Sequence, residues 1–117
     1  MDSARQAGLD LTATFTGEPD ALSSISDLTA YRVVQESLTN AVKHGSGTGE
    51  LTIDHTAGGV RIEVRNPVSG TGPASSGGGH GLIGMRERVE AVHGRLATGL
   101  GPDGVFTLSA EIPRDRP

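Results

Sequence analysis

Apolar and polar positions follow two different periods along this chain, and the switches between them mark out its elements. Leu9-Asp-Leu-Thr-Ala-Thr-Phe15 alternates strictly, the period of a half-buried strand, with Leu9, Leu11, Ala13 and Phe15 facing inward. Gly17-Glu-Pro-Asp20 reads as a turn. From Tyr31 to His44 the period becomes helical. Tyr31, Val34, Leu38 and Ala41 form the expected buried stripe, Ser26 or Asp27 the N-cap, and Gly45 the stop before a loop to Gly49. Two alternating runs, 50–56 and 60–65, flank Ala57-Gly-Gly59 and predict an antiparallel hairpin in which Leu51 and Ile53 meet Ile62 and Val64. Between Pro67 and Gly81 the chain is nearly all Gly, Ser, Pro, Thr and Ala, and no period survives. Helical spacing returns at Leu82, Met85, Val89 and Val92, and Gly94 is expected to close that helix. Residues 94–99 read as a short strand. Phe106, Leu108, Ala110 and Ile112 alternate in a last strand that Pro113 stops. Residues 1–8 read as a lead-in and 113–117 as a tail. The order strand, helix, two strands, helix, two strands predicts one sheet with helices packed on one face.

Composition narrows what such a sheet can do. At 117 residues the chain is one domain with a single core. Aromatic residues make up only 3%, so Val, Leu, Ile and Ala must build that core. A formal net charge of -4 argues against a nucleic-acid surface, whose usual footprint is a basic patch. No apolar run is long enough to span a membrane, and no charged-then-apolar leader is present. The domain is therefore expected to be cytoplasmic and to make no membrane contact itself, although a parent protein could be membrane-anchored. The absence of cysteine excludes a disulfide scaffold and Cys-based zinc sites.

Two stretches carry candidate chemistry. On the first helix Glu36, Asn40 and Lys43 recur at i, i+4 and i+7, with His44 beside them, so a carboxylate, an amide and an ammonium stack on one face. Such a set can polarise a water, ligate a hard cation through oxygen and meet a phosphate. An amphipathic helix with a solvated face would show the same spacing. The second stretch, Gly77-Gly-Gly-His-Gly-Leu-Ile-Gly-Met-Arg-Glu-Arg88, is a glycine run leading into a helix. Glycine lets backbone approach a ligand closely, and free N–H groups at a helix start attract phosphate. Arg86 and Arg88 follow one turn later, as phosphate or partner contacts or as solvated helix charge. Of the four histidines, His55 lies among strand positions and reads as structural.

Together, Val34-Gln-Glu-Ser-Leu-Thr-Asn-Ala-Val-Lys-His44 and Gly79-His-Gly-Leu-Ile-Gly-Met-Arg-Glu-Arg-Val89 resemble the ATP-binding catalytic domain of sensor histidine kinases, within the GHKL superfamily. The wording is closest to the subgroup paired with LuxR-type response regulators. The resemblance implies an α+β fold of Bergerat type, a two-layer sandwich whose mixed sheet of about five strands is backed by about three helices, with a core over residues 8–113. It implies an enzyme that binds Mg²⁺ and ATP and passes the γ-phosphoryl to a histidine on a separate dimerisation and phosphoacceptor domain. A response regulator would act downstream. By position, Asn40 would ligate Mg²⁺, Glu36 would act as a base or order a water, and Lys43 and His44 would lie near the phosphates. Gly79, His80, Gly81 and Leu82 would form the glycine box at the end of a mobile lid over residues 67–80.

Two positions depart from the family pattern. Its Asp-x-Gly-x-Gly, whose Asp reads the adenine amine, is here Asn66-Pro-Val-Ser-Gly70. Asn66 and Gly70 would still border the base, or Asn66 would simply begin the turn at Pro67. In the last glycine box Gly104 is followed by the larger Val105 and Phe106. No histidine lies in anything like a phosphoacceptor helix. The chain therefore reads as a catalytic domain that uses an acceptor located elsewhere. Competing readings are a stand-alone Ser/Thr kinase of the anti-sigma-factor type and a degenerate nucleotide-binding or docking module without turnover.

Overall fold

The structure is a computed structural model that describes residues 8–17, 24–44, 47–56, 58–68 and 75–113. Its elements in order are β1 (Asp10–Thr16), α1 (Ser24–His44), β2 (Thr48–Thr56), β3 (Gly59–Pro67), α2 (Ser75–Ala91), β4 (Arg95–Leu100) and β5 (Val105–Pro113). The five strands form one mixed sheet in the order β1-β2-β3-β5-β4. β1 pairs with β2 in parallel, as a crossover through a helix requires, and every other neighbour is antiparallel. The α+β architecture with helices on one face is thus as expected, with two helices among the described residues.

Register follows from the alternation. Leu51 faces Val64 and Ile53 faces Ile62, so the expected hairpin pairs are present. These extend into apolar rows across the sheet. One runs Ala13, Leu51, Val64, Leu108, Thr98; the next runs Phe15, Ile53, Ile62, Ala110, Leu96. The helices cover this face. The other face carries the intervening positions, and its rows are polar: Thr14, Thr52, Glu63, Ser109 and Ala97, then Thr16, Asp54, Arg61, Glu111 and Arg95. One helix layer and one solvated face is the arrangement an antiparallel sheet tolerates.

Several details differ from the sequence reading. Tyr31 is 62% exposed, whereas Val33, Ser37, Leu38 and Ala41 are buried. The stripe is turned toward Val33 and Ser37, because a small hydroxyl that donates to the Val33 carbonyl at 2.6 Å fits against the sheet where a phenol does not. Phe15 is 56% exposed. β1 is an edge strand, and α1 lies over β2, β3 and β5, leaving the far end of β1 uncovered. α1 starts at Ser24, ahead of the cap expected at Ser26 or Asp27, and β2 at Thr48, two residues before the expected Glu50.

At the end of α2 the left-handed residue is His93, with φ 65°, and not Gly94. His93 N–H donates to the Glu90 carbonyl and Gly94 N–H to the Val89 carbonyl, at 3.0 and 2.8 Å, which is a Schellman cap with His93 at its αL position. Gly94 is required for another reason. A Cβ there would lie 2.4 Å from the Glu111 carbonyl oxygen and 2.8 Å from Val89 Cγ1.

Candidate functional site

Chain direction gathers the candidate residues at one end of the sheet. β1 runs away from that end, α1 returns toward it, and β2 leaves it again, with Asp10 N–H donating to the Gly47 carbonyl at 2.8 Å where α1 hands over to β2. β3 runs back antiparallel and finishes there with Asn66 and Pro67, opposite Phe106 and Val105 of β5. α2 ends at the far edge, where Gly94 packs on Glu111, so its first turns point back to the same end. The second half of α1, the end of β3, the start of β5 and the start of α2 therefore converge.

On α1 the buried stripe through Val33, Ser37 and Ala41 leaves Glu36 and Asn40 on its shoulder, both half-buried, with Lys43 exposed one turn nearer the sheet end. No side-chain hydrogen bond or ion pair among the described residues engages Glu36, Asn40 or Lys43. Their donors and acceptors are held on a packed helix and remain uncommitted. His44 is the last helical residue.

Asn66 is 4% exposed. It belongs to β3 and not to a turn, in the helix-facing set with Val60, Ile62 and Val64. Its amide donates over a long 3.4 Å to the Pro67 carbonyl, and no charged group of the described residues pairs with it. Val68 N–H then donates to the Gly104 carbonyl at 2.9 Å, which ties the end of β3 to the start of β5. Gly70 lies outside the described residues.

The glycine stretch is arranged differently from expectation. α2 begins at Ser75, so Gly79, His80, Gly81 and Leu82 sit inside a helix and not at its first turn. Their N–H groups serve the helix ladder, and the unsatisfied helix-start donors belong to residues before Gly79. Once Met85 and Val89 fix the later turns, the helix propagates backward, although each glycine costs it roughly 1 kcal/mol. Leu82, Met85, Val89 and Val92 do pack on the core as expected. Residues 69–74 of the expected lid lie outside the described residues.

Arg86 is a structural residue that the sequence left open. Its Nη1 donates to the Leu96 carbonyl at 2.8 Å and ties α2 to β4, away from the converging end. Arg88 is exposed. A metal ion would find no cluster of three or more His, Cys, Asp or Glu among the described residues.

Comparison with known proteins bears on the family and the fold. The family model for histidine kinase-, DNA gyrase B- and HSP90-like ATPases matches residues 26–116. Over 78 residues the chain is 40% identical to the signal transduction histidine-protein kinase/phosphatase UhpB of Salmonella typhimurium, a match covering 65% of this chain and 15% of UhpB. It is 27% identical over 112 residues to the sensor histidine kinase LnrJ of Bacillus subtilis, covering 95% of this chain and 28% of LnrJ. The chain thus spans less than a third of either relative. Among solved structures, the Acinetobacter baumannii histidine kinase AdeS superposes with a TM-score of 0.72 at 14% identity, over 98% of this chain and 59% of that one. The histidine kinase domain of the Erythrobacter litoralis EL346 blue-light activated kinase gives 0.70 at 17% identity, over 97% of this chain and 60% of that one. Family match and fold agree, and the chain belongs to the histidine kinase-, DNA gyrase B- and HSP90-like ATPases.

Proposed function

We propose that this domain binds ATP with Mg²⁺ at the converging end of the sheet and donates the γ-phosphoryl to a histidine of a separate dimerisation and phosphoacceptor domain. The observation that carries the reading is the α1 shoulder. Glu36, Asn40 and Lys43 are aligned, held by a packed helix and unpartnered among the described residues, at the sheet end that also holds Asn66.

The donor set fits Mg²⁺ on a nucleotide. That ion keeps several waters and takes one or two protein oxygens plus phosphate oxygens, so a lone Asn40 amide oxygen suffices where the described residues offer no carboxylate cluster. When bound, the ion would neutralise charge on the phosphates. Lys43 would add positive charge beside them, and His44 would lie near. In the transfer, the bond from the γ-phosphorus to its bridging oxygen breaks, ADP keeps that electron pair, and an imidazole nitrogen forms the new bond. Glu36 would take the imidazole proton or order a water. Asn66 and Gly70 would border the base, and the segment through Gly79, His80, Gly81 and Leu82 would close over the phosphates. Positioning and charge neutralisation are the protein's main contribution to such chemistry. The relatives UhpB and LnrJ favour a two-component setting, and we assign the partner to the LuxR-type response regulators on the wording of the two motifs.

Asn40→Ala tests the reading. Alanine preserves the helix, so folding should survive. ATP-dependent phosphorylation of a supplied acceptor domain should fall by about tenfold or more, since one metal ligand is lost. Full activity would remove Asn40 from the site. A second reading, nucleotide binding without turnover, draws support from Asn66 where the family's pattern has Asp. It predicts ATP binding by calorimetry with no transfer to any acceptor.

A further inference from the structure

A second cleft lies at the opposite end of the sheet from Asn40 and Asn66. It encloses about 260 Å³ between the β2–β3 turn, the end of β5 and the cap of α2. Arg61 and Arg95 stand on either side of Glu111, each its direct cross-strand partner. Arg61 Nη2 donates to Glu111 Oε2 at 3.3 Å and Arg95 Nη2 to Oε1 at 3.4 Å. Each guanidinium carries five N–H donors, and these bonds use one apiece. Two cations share one carboxylate, so the cleft wall retains a positive charge and several directed donors. Asp54 faces Arg61 across the strands and offsets part of that charge, but its carboxylate accepts from Thr16 at 2.7 Å and does not line the cleft, so the guanidinium donors stay open there.

His93 lies in the same wall. It holds the αL position of the α2 cap, with φ 65°, where glycine would be unstrained. A non-glycine side chain at a left-handed position is a pointer to use, and imidazole offers an N–H donor in either protonation state. Gly58 and Gly59 bring bare backbone to the opposite side. We propose that this cleft binds a small oxyanion, a phosphate or a carboxylate, through Arg61, Arg95 and His93. Forked guanidinium donors suit both chemistries.

The test is a titration of the isotopically labelled chain with inorganic phosphate and, separately, with succinate, at constant ionic strength, followed by amide NMR. Saturating shifts are expected at Gly58, Gly59 and Gly94, with half-saturation on the order of millimolar, as befits a small ligand in an open site. Saturation by only one of the two identifies the anion chemistry. The Arg95 side chain is 87% exposed, so Arg95→Gln should leave the fold intact and weaken binding by about threefold. His93→Gly relaxes the cap and should also weaken binding. Shifts that do not saturate with either anion, or binding at full strength in either variant, would overturn the proposal.

Discussion

Single residues show where pattern and packing part company. Tyr31 has the right spacing for the buried stripe, yet the sheet takes Val33 and Ser37 instead. Hydrophobicity alone cannot tell that a small, back-bonded serine seats more closely than a tyrosine. His93 was equally hidden, because Gly94 beside it offered the more familiar cap and only the backbone reveals which residue is left-handed. Asn66 was legible as a departure from a motif; its burial was not. That burial makes its chemistry testable. With no charged partner among the described residues, Asn66→Asp should destabilise the nucleotide-free domain by about 1–3 kcal/mol, the usual cost of a buried group left poorly satisfied. If the residue reads the base, the carboxylate should nevertheless bind ATP roughly fivefold more tightly, since charge-assisted hydrogen bonds are about twice as strong. It should widen the ATP-to-GTP ratio further still, because it repels the guanine carbonyl that an amide can satisfy by flipping. Calorimetry of both nucleotides on both proteins, with Mg²⁺ present, gives the ratio. An unchanged ratio would leave Asn66 a strand-end residue only.

Among elements, strands were easier to read than helices. The β2–β3 hairpin was foreseeable in its inward set, Leu51 and Ile53 against Ile62 and Val64, since period-2 alternation fixes the face, although Gly59, expected in the turn, pairs with Thr56. α2 was foreseeable only from Leu82 onward. Its earlier turns are rich in glycine, which by composition reads as loop, and the helix there depends on propagation from packed Met85 and Val89. Those turns are the least stable part of the helix. If they must unwind to offer N–H groups to phosphates, glycine keeps the cost of unwinding low. Gly78→Ala should therefore stabilise the start of α2 by up to about 1 kcal/mol and weaken ATP binding by a corresponding factor of roughly five. Hydrogen exchange at residues 78–84 and a nucleotide titration on the same variant measure the two effects. Slower exchange with unchanged affinity would show that the turns stay helical when nucleotide binds.

For the whole molecule, element order and the apolar rows determine one sheet under one helix layer, and the convergence of α1, β3 and α2 at one end follows from strand direction. The order of strands across the sheet was less accessible, because β5 reaches its place between β3 and β4 through long-range packing that alternation does not encode. The parallel pairing of β1 has a kinetic side. Thr16 and Asp54, which bond across that pair, lie 38 residues apart, whereas the β2–β3 hairpin closes through a short turn. Bringing β1 to β2 costs more loop-closure entropy, so the hairpin should be present in the folding transition state while β1 docks afterwards. Leu11→Ala should then act mainly by accelerating unfolding, and Ile62→Val mainly by slowing refolding. Stopped-flow chevrons would separate the two, and a Leu11→Ala variant that refolds slowly would contradict this order. With β1 last on and first off, the domain's lifetime against proteases is governed by its weakest edge and not by its central strands.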